Sequence, residues 1–379
     1  MTDLEERVRG EGLEFVSIGQ SDHPVGSLPK SLEALGRLKG MAALRFTIQA
    51  VARTTAMMLR DAPAEIEKAG VSMLLVDQME PAGSTLAELL GIGFITICNA
   101  MALNREPDVP PPFTPWSYRP TWWARLRNRA GNAMSDRLTD PITRVVDTYR
   151  KAHGLKRLRS PEASFSPVAQ ISQQPPLFDF PRRNLPSTFH YVGPLRKPRA
   201  QTIFFPWEKL DGRPIIYASL GTLQNARLDV FQCFAEACEG LDAQLVISHG
   251  GGLTTADVNR LPGNPLVVSY APQLEVLSRA SLTLTHGGLN TVLDSLSRGV
   301  PLIAMPITYE QPAIAERIRY TGVGLTFPLI SLSVKRLRDA IGIALPEHSS
   351  VREGARGMRE SIRGAGGVAS AADIILRNQ

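Results

Sequence analysis

The densest set of chemically capable side chains lies between Tyr270 and Gln311, in the stretch YAPQLEVLSRASLTLTHGGLNTVLDSLSRGVPLIAMPITYEQ. Within it residues 282–285 read as a buried strand, His286-Gly287-Gly288 as a tight turn, and Asn290 as the opening of a helix. Glycines let a backbone come close to a ligand, and the free N–H groups and dipole of a helix start favour an anion. Asn290 and Thr291 add side-chain donors, and His286 stands at the strand end where a second phosphate would lie. That chemistry suits a diphosphate. Asp294, one turn further on, is placed to accept from ribose hydroxyls, as acidic residues do in dinucleotide sites. Glu310 and Gln311 follow the next strand at its C-terminal end, the crevice side of a parallel sheet. A plain strand–turn–helix would use the same glycines, and a hydrogen-bonded core histidine would explain His286. Against both stands the joint spacing of YAPQ, THGGLNT, a following acid, GVP and a terminal EQ.

Side chains so arranged need sheets to end beneath them. Short apolar, β-branched runs alternate with longer segments of helical period, the pattern of βαβ units around parallel sheets. In the second half the predicted strands are 214–220, 243–248, 266–269, 282–286, 301–305 and 324–327, enough for a complete doubly wound domain. In the first half they are 13–19, 72–77, 93–99, 168–172 and 189–192. The 379 residues suffice for two domains. The expected division is 1–193, a linker at 194–212 that mixes Pro and charge, and 213–379. A nucleotide-type domain begins with a βαβ unit of roughly 30 or more residues. Here the run 13–19 comes first, so the first strand and helix are expected to be missing. A true start upstream of Met1 is the expected reason, because deleting a central strand would leave an open edge and a bare apolar face.

Composition excludes several other classes. With 43% apolar and 21% charged residues, and with Gly and Pro scattered, the chain is neither disordered, collagenous nor a coiled coil. No run approaches the roughly 20 apolar residues of a membrane helix, and the opening MTDLEERVRGEG lacks the apolar region of a signal peptide. Cys98, Cys233 and Cys238 are too few and too irregular for a disulfide scaffold or a zinc site, which suits a reducing, cytoplasmic setting. The net charge is +6, and residues 119–159 alone hold eleven Lys/Arg against three Asp/Glu. No nucleic-acid motif accompanies that excess, so nucleic acid is not an expected partner.

The joint motif resembles the nucleotide-sugar signature of the UDP-dependent glycosyltransferases with the GT-B fold, glycosyltransferase family 1. The resemblance implies an α/β protein of two Rossmann-like doubly wound domains facing a cleft, the N-terminal one incomplete here, with the last helix packing back on it. It implies that Tyr270 stacks on uracil with Gln273 beside the nucleoside, and that His286, Asn290 and Thr291 hold the diphosphate over the Gly288 turn. Asp294 would bind ribose, and Glu310 and Gln311 the sugar hydroxyls. Tyr270 stands where plant members carry Trp, Asp294 where they carry Glu, and Leu289 replaces another Trp. The run YASLGT resembles the family's Gly-Ser/Thr turn, which would put Gly221 and Thr222 at the phosphate. VDQMEPAG, ALNREPDVP, SPVAQISQ, FDFPRRNLP and ASLGTLQ are similar to bacterial zeaxanthin glucosyltransferases, a likeness that runs over essentially the whole chain.

The implied reaction is inverting transfer of a hexose, glucose in that branch, from UDP-sugar to a hydroxyl of a lipophilic acceptor, a carotenoid such as zeaxanthin. The acceptor would sit on the N-terminal domain. No metal or other cofactor is implied, since the helix dipole, His286 and the turn amides can stabilise the leaving UDP. In the family a His after the first strand removes the hydroxyl proton and an Asp orients that His. Asp77 matches the Asp; the His has no counterpart, and His23 is expected as a loop or acceptor-side residue. Two alternatives follow: a UDP-sugar binder without turnover, or a transferase acting on another apolar alcohol such as a macrolide or sterol. The segment 107–130, with its aromatics and Arg125, Arg127 and Arg129, also has two readings. It could rest on the anionic inner face of the cytoplasmic membrane, or form an acceptor-pocket lid followed by an ordinary basic helix.

Overall fold

Near-continuous apolar runs assemble here into two parallel sheets, buried on both faces at residues 170–172, 215–219, 244–248 and 302–304. The computed structural model describes residues 2–38, 40–196, 203–221 and 225–379. The first sheet joins β1 (Met73–Asp77), β2 (Gly93–Cys98), β3 (Gln170–Ser172) and β4 (Phe189–Tyr191), in that spatial order. The second contains β5 (Ile215–Ser219), β6 (Gln244–Ser248), β7 (Leu266–Val268), β8 (Ala280–Thr285), β9 (Leu302–Ala304) and β10 (Gly324–Thr326). Its order is β10-β9-β8-β5-β6-β7. The chain therefore leaves β5 in one direction and returns to its other side at β8, with Ser219 paired to Thr285 at the strand ends. The crevice beyond such a reversal is where open α/β sheets receive ligands.

Helices α1 (Gly40–Lys68), α2 (Gly83–Leu90) and α3 (Trp122–Ala152) belong to the first half, and Leu59, Ala62, Leu86 and Val146 cluster between them. In the second half α4 (Leu289–Ser297) opens directly after the β8 turn, followed by α5 (Gln311–Thr321), α6 (Ser350–Ala365) and α7 (Gly367–Arg377). Leu289, Val292, Leu293 and Leu296 share one face of α4 and pack on Ile314 and Ile318 of α5 and Met358 of α6. Met101 and Phe178 of the first half are fully buried in the same cluster. Each such side chain stabilises the seam by about 1.5–3 kcal/mol. On α7, Ala371, Ile374 and Ile375 pack against Ile95, Ile171 and Val192, so the end of the chain lies on the first sheet.

A second seam is ionic. Asp179 accepts from Arg317 of α5 (2.8 and 3.0 Å), from Arg182 (2.8 Å) and from the Tyr191 hydroxyl (2.9 Å), and the three charged groups are almost fully buried. Burial alone would raise the Asp179 carboxyl, but the two guanidinium groups hold it down to about 2.

One predicted strand is corrected. Residues 13–19 form irregular backbone with no ladder among the described residues. They lie on a helix instead: Ile18 packs into the Leu59–Leu86 cluster, and the Gly19 N–H donates to Asp61 of α1 at 3.2 Å. Gly19 sits at φ 70°, and a Cβ there would come within 2.5 Å of the Met57 sulfur. A strand exists only where a neighbouring backbone completes its hydrogen bonds.

Candidate active site

The crevice at the strand reversal is built by two turns. The one after β5 reaches Gly221 at φ 74°, and the one after β8 is His286-Gly287-Gly288, with Gly287 at φ 84°. The His286 ring lies between them. A Cβ on Gly221 would stand 2.9 Å from its Cε1, and a Cβ on Gly288 would stand 2.7 Å from its Nε2. Only glycine lets the two turns close on the imidazole. The ring donates to the Ser219 carbonyl, and Nδ1 is 3.4 Å from the Thr285 hydroxyl. Burial pushes the imidazole down to about 4, so it is neutral at physiological pH. An anion here would meet hydrogen bonds and the dipole of α4, not a full positive charge.

Asn290 and Thr291 occupy the first turn of α4; Asn290 is exposed and Thr291 buried. Asp294, one turn on, is 2% exposed. Its Oδ2 accepts from Gln273 (2.7 Å) and from Arg196 (2.7 Å). The Tyr217 hydroxyl donates to Gln273 Oε1 (3.3 Å), which turns the Gln273 NH2 toward Asp294. Burial raises the Asp294 carboxyl while Arg196 and Gln273 oppose it. Tyr270 is half exposed, with its hydroxyl anchored on the Gly250 carbonyl at 3.0 Å, so a ring face is available for stacking.

At the end of the next strand Tyr309 is held at φ 54°, an uncommon conformation for a non-glycine residue. Glu310 follows as the cap of α5, and its Oε2 accepts the Met101 N–H at 3.3 Å. Burial pushes this carboxyl up, the Met101 bond partly offsetting it. Gln311 is turned inward: its Oε1 accepts the N–H groups of Ile307 (2.8 Å) and Thr308 (2.9 Å). What Gln311 can offer a ligand is therefore its NH2. Thr222 lies outside the described residues.

Across the crevice Asp77 ends β1. Its Oδ1 accepts the Met79 N–H (2.8 Å) and its Oδ2 the Asn99 side-chain NH2 (2.9 Å). Among the described residues no histidine is hydrogen-bonded to it; His23 lies against the Thr54 hydroxyl of α1 at 3.4 Å. Glu80 is close by, its carboxyl raised by burial and further by the Asp77 charge. No group of three His, Cys, Asp or Glu side chains among the described residues could hold a metal ion.

The family model described as UDP-glucoronosyl and UDP-glucosyl transferase matches residues 35–352. The chain belongs to this family. A zeaxanthin glucosyltransferase of Pantoea ananas is 38% identical over 98% of this chain and 86% of its own length. One from Pseudescherichia vulneris is 39% identical over 86% of this chain and 79% of its own. The crystal structure of the calicheamicin glycosyltransferase CalG4 superposes with a TM-score of 0.75 at 22% identity, covering 99% of this chain and 88% of that one. The kitacinnamycin glycosyltransferase gives 0.73, also at 22%. The protein is thus a UDP-sugar glycosyltransferase with the GT-B fold.

Three residues of this glycosyltransferase reach the crevice from the first half or the linker without having been singled out in the sequence. Gln173, after β3, donates to Asn290 Oδ1 (3.2 Å); Arg196 pairs with Asp294; and the Met101 backbone donates to Glu310. These pairs are 117, 98 and 209 residues apart in sequence, so no local spacing contains them.

Proposed function

We propose that the protein moves a hexose, glucose in the first instance, from UDP to a hydroxyl of a lipophilic acceptor, a carotenoid such as zeaxanthin, with inversion at the anomeric carbon. The crevice between β5 and β8 carries the donor half of this reading, because glycine turns, neutral His286, the start of α4 and Asp294 meet there. The acceptor half rests on the two zeaxanthin glucosyltransferases, each similar over most of the chain. In the proposed step the acceptor oxygen attacks the anomeric carbon as the bond from that carbon to the β-phosphate oxygen breaks, and the hydroxyl proton passes to a general base on the acceptor side. Charge developing on the leaving UDP falls on the amides and side chains of Asn290 and Thr291 and on the His286 ring. Tyr270, Gln273 and Asp294 take the nucleoside, Glu310 and the Gln311 NH2 the sugar, and Gly221, Thr222 and Gly288 allow close approach.

Asp77 is the carboxylate proposed to orient a general base on the acceptor side. A second reading, a UDP-sugar binder without turnover, is favoured by one observation: no described histidine is bonded to Asp77. A lipid-surface contact through 107–130 would rest on exposed Trp122, Leu126 and Arg129. Arg125 is paired with Asp108 at 2.6 Å, and Arg127 lies over the Trp116 ring at 4.7 Å, so each would share its guanidinium between that partner and a lipid phosphate. No helix of the described residues is long and apolar enough to cross a membrane.

The test combines UDP calorimetry with turnover of UDP-glucose and zeaxanthin in detergent. Turnover is the expected outcome. Binding without turnover would favour the second reading, and absence of UDP binding would remove the donor site altogether.

A further inference from the structure

We propose that Gln173 is a positioning residue of the donor site: it sets which edge of the Asn290 amide faces the diphosphate. The proposal rests on the donor reading above and extends it to a residue on the opposite half of the molecule. Gln173 is 3% exposed and sits just beyond β3, where its backbone N–H donates to the Cys98 carbonyl at 3.2 Å. Both hydrogens of its side-chain NH2 are engaged. One goes to the Asn99 backbone carbonyl, and the other to Asn290 Oδ1 at 3.2 Å.

The second bond decides an orientation. An asparagine amide presents a carbonyl on one edge and two donors on the other, and only its partners determine which way it points. With Oδ1 fixed on Gln173, the NH2 edge of Asn290 is turned away from Gln173. Asn290 is exposed at the first turn of α4, so that edge is free to meet an anion. The reversed amide would put a carbonyl oxygen against the diphosphate, a repulsive contact in place of a charge-assisted hydrogen bond. The first bond reaches Asn99, whose side-chain NH2 donates to Asp77 Oδ2 at 2.9 Å. Asn99 is thus held from both sides, its backbone carbonyl by Gln173 and its side chain by Asp77.

The test is a double-mutant cycle read by calorimetry with UDP and, separately, with uridine. Gln173→Met keeps the length and removes the donors. UDP affinity is expected to fall about tenfold, the size of one hydrogen bond to a charged group, while uridine affinity holds. In an Asn290→Ala background, which by itself loses the same tenfold, Gln173→Met should have no further effect on UDP binding. Should Gln173→Met fail to fold, Gln173→Glu serves, since its carboxylate would draw the Asn290 NH2 toward itself and weaken UDP at least as much. Equal UDP affinity in wild type and variant overturns the proposal. So does a loss shared by uridine, or one that persists without Asn290. Wild-type protein that binds no UDP would instead overturn the donor reading, a result separable from all of these.

Discussion

The two halves of the molecule meet at two polar seams of opposite character. At the first, Asp179, Arg182, Arg317 and Tyr191 satisfy one another away from water, with Arg317 also stacked 4.2 Å from the Phe180 ring. At the second, Asn290, Asp294 and Glu310 borrow partners from across the crevice: Gln173, Arg196 and the Met101 N–H. In the first seam each charge has at least one charged partner and no room for a ligand. In the second, the bonds are longer or partly exposed; Arg196 is 40% exposed, and the same acceptors could serve a sugar nucleotide. A buried ion cluster fixes where the halves sit, and an exchangeable set next to it leaves the crevice able to open for a ligand. The difference is one of solvent access more than of residue type.

The largest effect should come from breaking the fixed seam. Asp179→Asn leaves Arg182 and Arg317 buried without their counter-charge, which costs about 3–5 kcal/mol for one broken buried pair. Denaturant unfolding should register that loss, and UDP affinity of the folded fraction should not change. A stability change under about 1 kcal/mol would mean that water reaches these groups and that the seam is no different from its neighbour. The pH dependence has a definite sign. The Asp179 carboxyl is lowered in the folded protein, so its contribution is whole above about pH 4 and disappears as pH falls toward about 2. Wild type should therefore lose more stability over that interval than Asp179→Asn loses.

His286→Ala sharpens the comparison from the other side. UDP affinity should drop about tenfold or more while the unfolding midpoint moves little, since the residue lines a crevice and supports no ion pair. The imidazole is pushed down to about 4. Its neutral form is favoured by folding above the ordinary histidine range, and that advantage is lost as pH falls toward 4. Binding of UDP-glucose, whose phosphates do not titrate near neutrality, should therefore be flat between about pH 5.5 and 8. Affinity that climbs on acidification through 6.5 would show an imidazolium at the phosphate and remove the neutral assignment.

How far these seams were legible differs with sequence distance. The second-sheet strands stand within two residues of their predicted limits, for instance 282–286 against Ala280–Thr285, because strands covered on both faces leave unbroken apolar runs. The motif from Tyr270 to Gln311 folds into one crevice because a strand, a turn and a helix in succession bring its residues together. Residues 13–19 carry a strand-like pattern, yet a ladder depends on a neighbour that no local pattern reveals. Gln173, Arg196 and Met101 enter from far along the chain. That Arg125 pairs with Asp108 and Arg127 lies over Trp116 depends on how the preceding loop folds back, which no local pattern reveals.

The smallest expected effect separates two roles for Arg196. Its guanidinium takes the same Asp294 oxygen that accepts from Gln273, and a ribose hydroxyl would compete for that oxygen. A ribose hydroxyl that takes this oxygen moves Arg196 aside, at the cost of a partly exposed ion pair, about 0–1 kcal/mol. Arg196→Ala should accordingly tighten UDP no more than about fivefold, the equivalent of 1 kcal/mol. The gain should shrink as salt is raised, because screening weakens the competing pair in wild type. Weaker binding in the variant would instead make Arg196 a ligand of the phosphates, reached after it leaves Asp294. The exchangeable seam would then supply a cation to the nucleotide as it opens, and the contrast with the Asp179 cluster would become one of timing, not of strength.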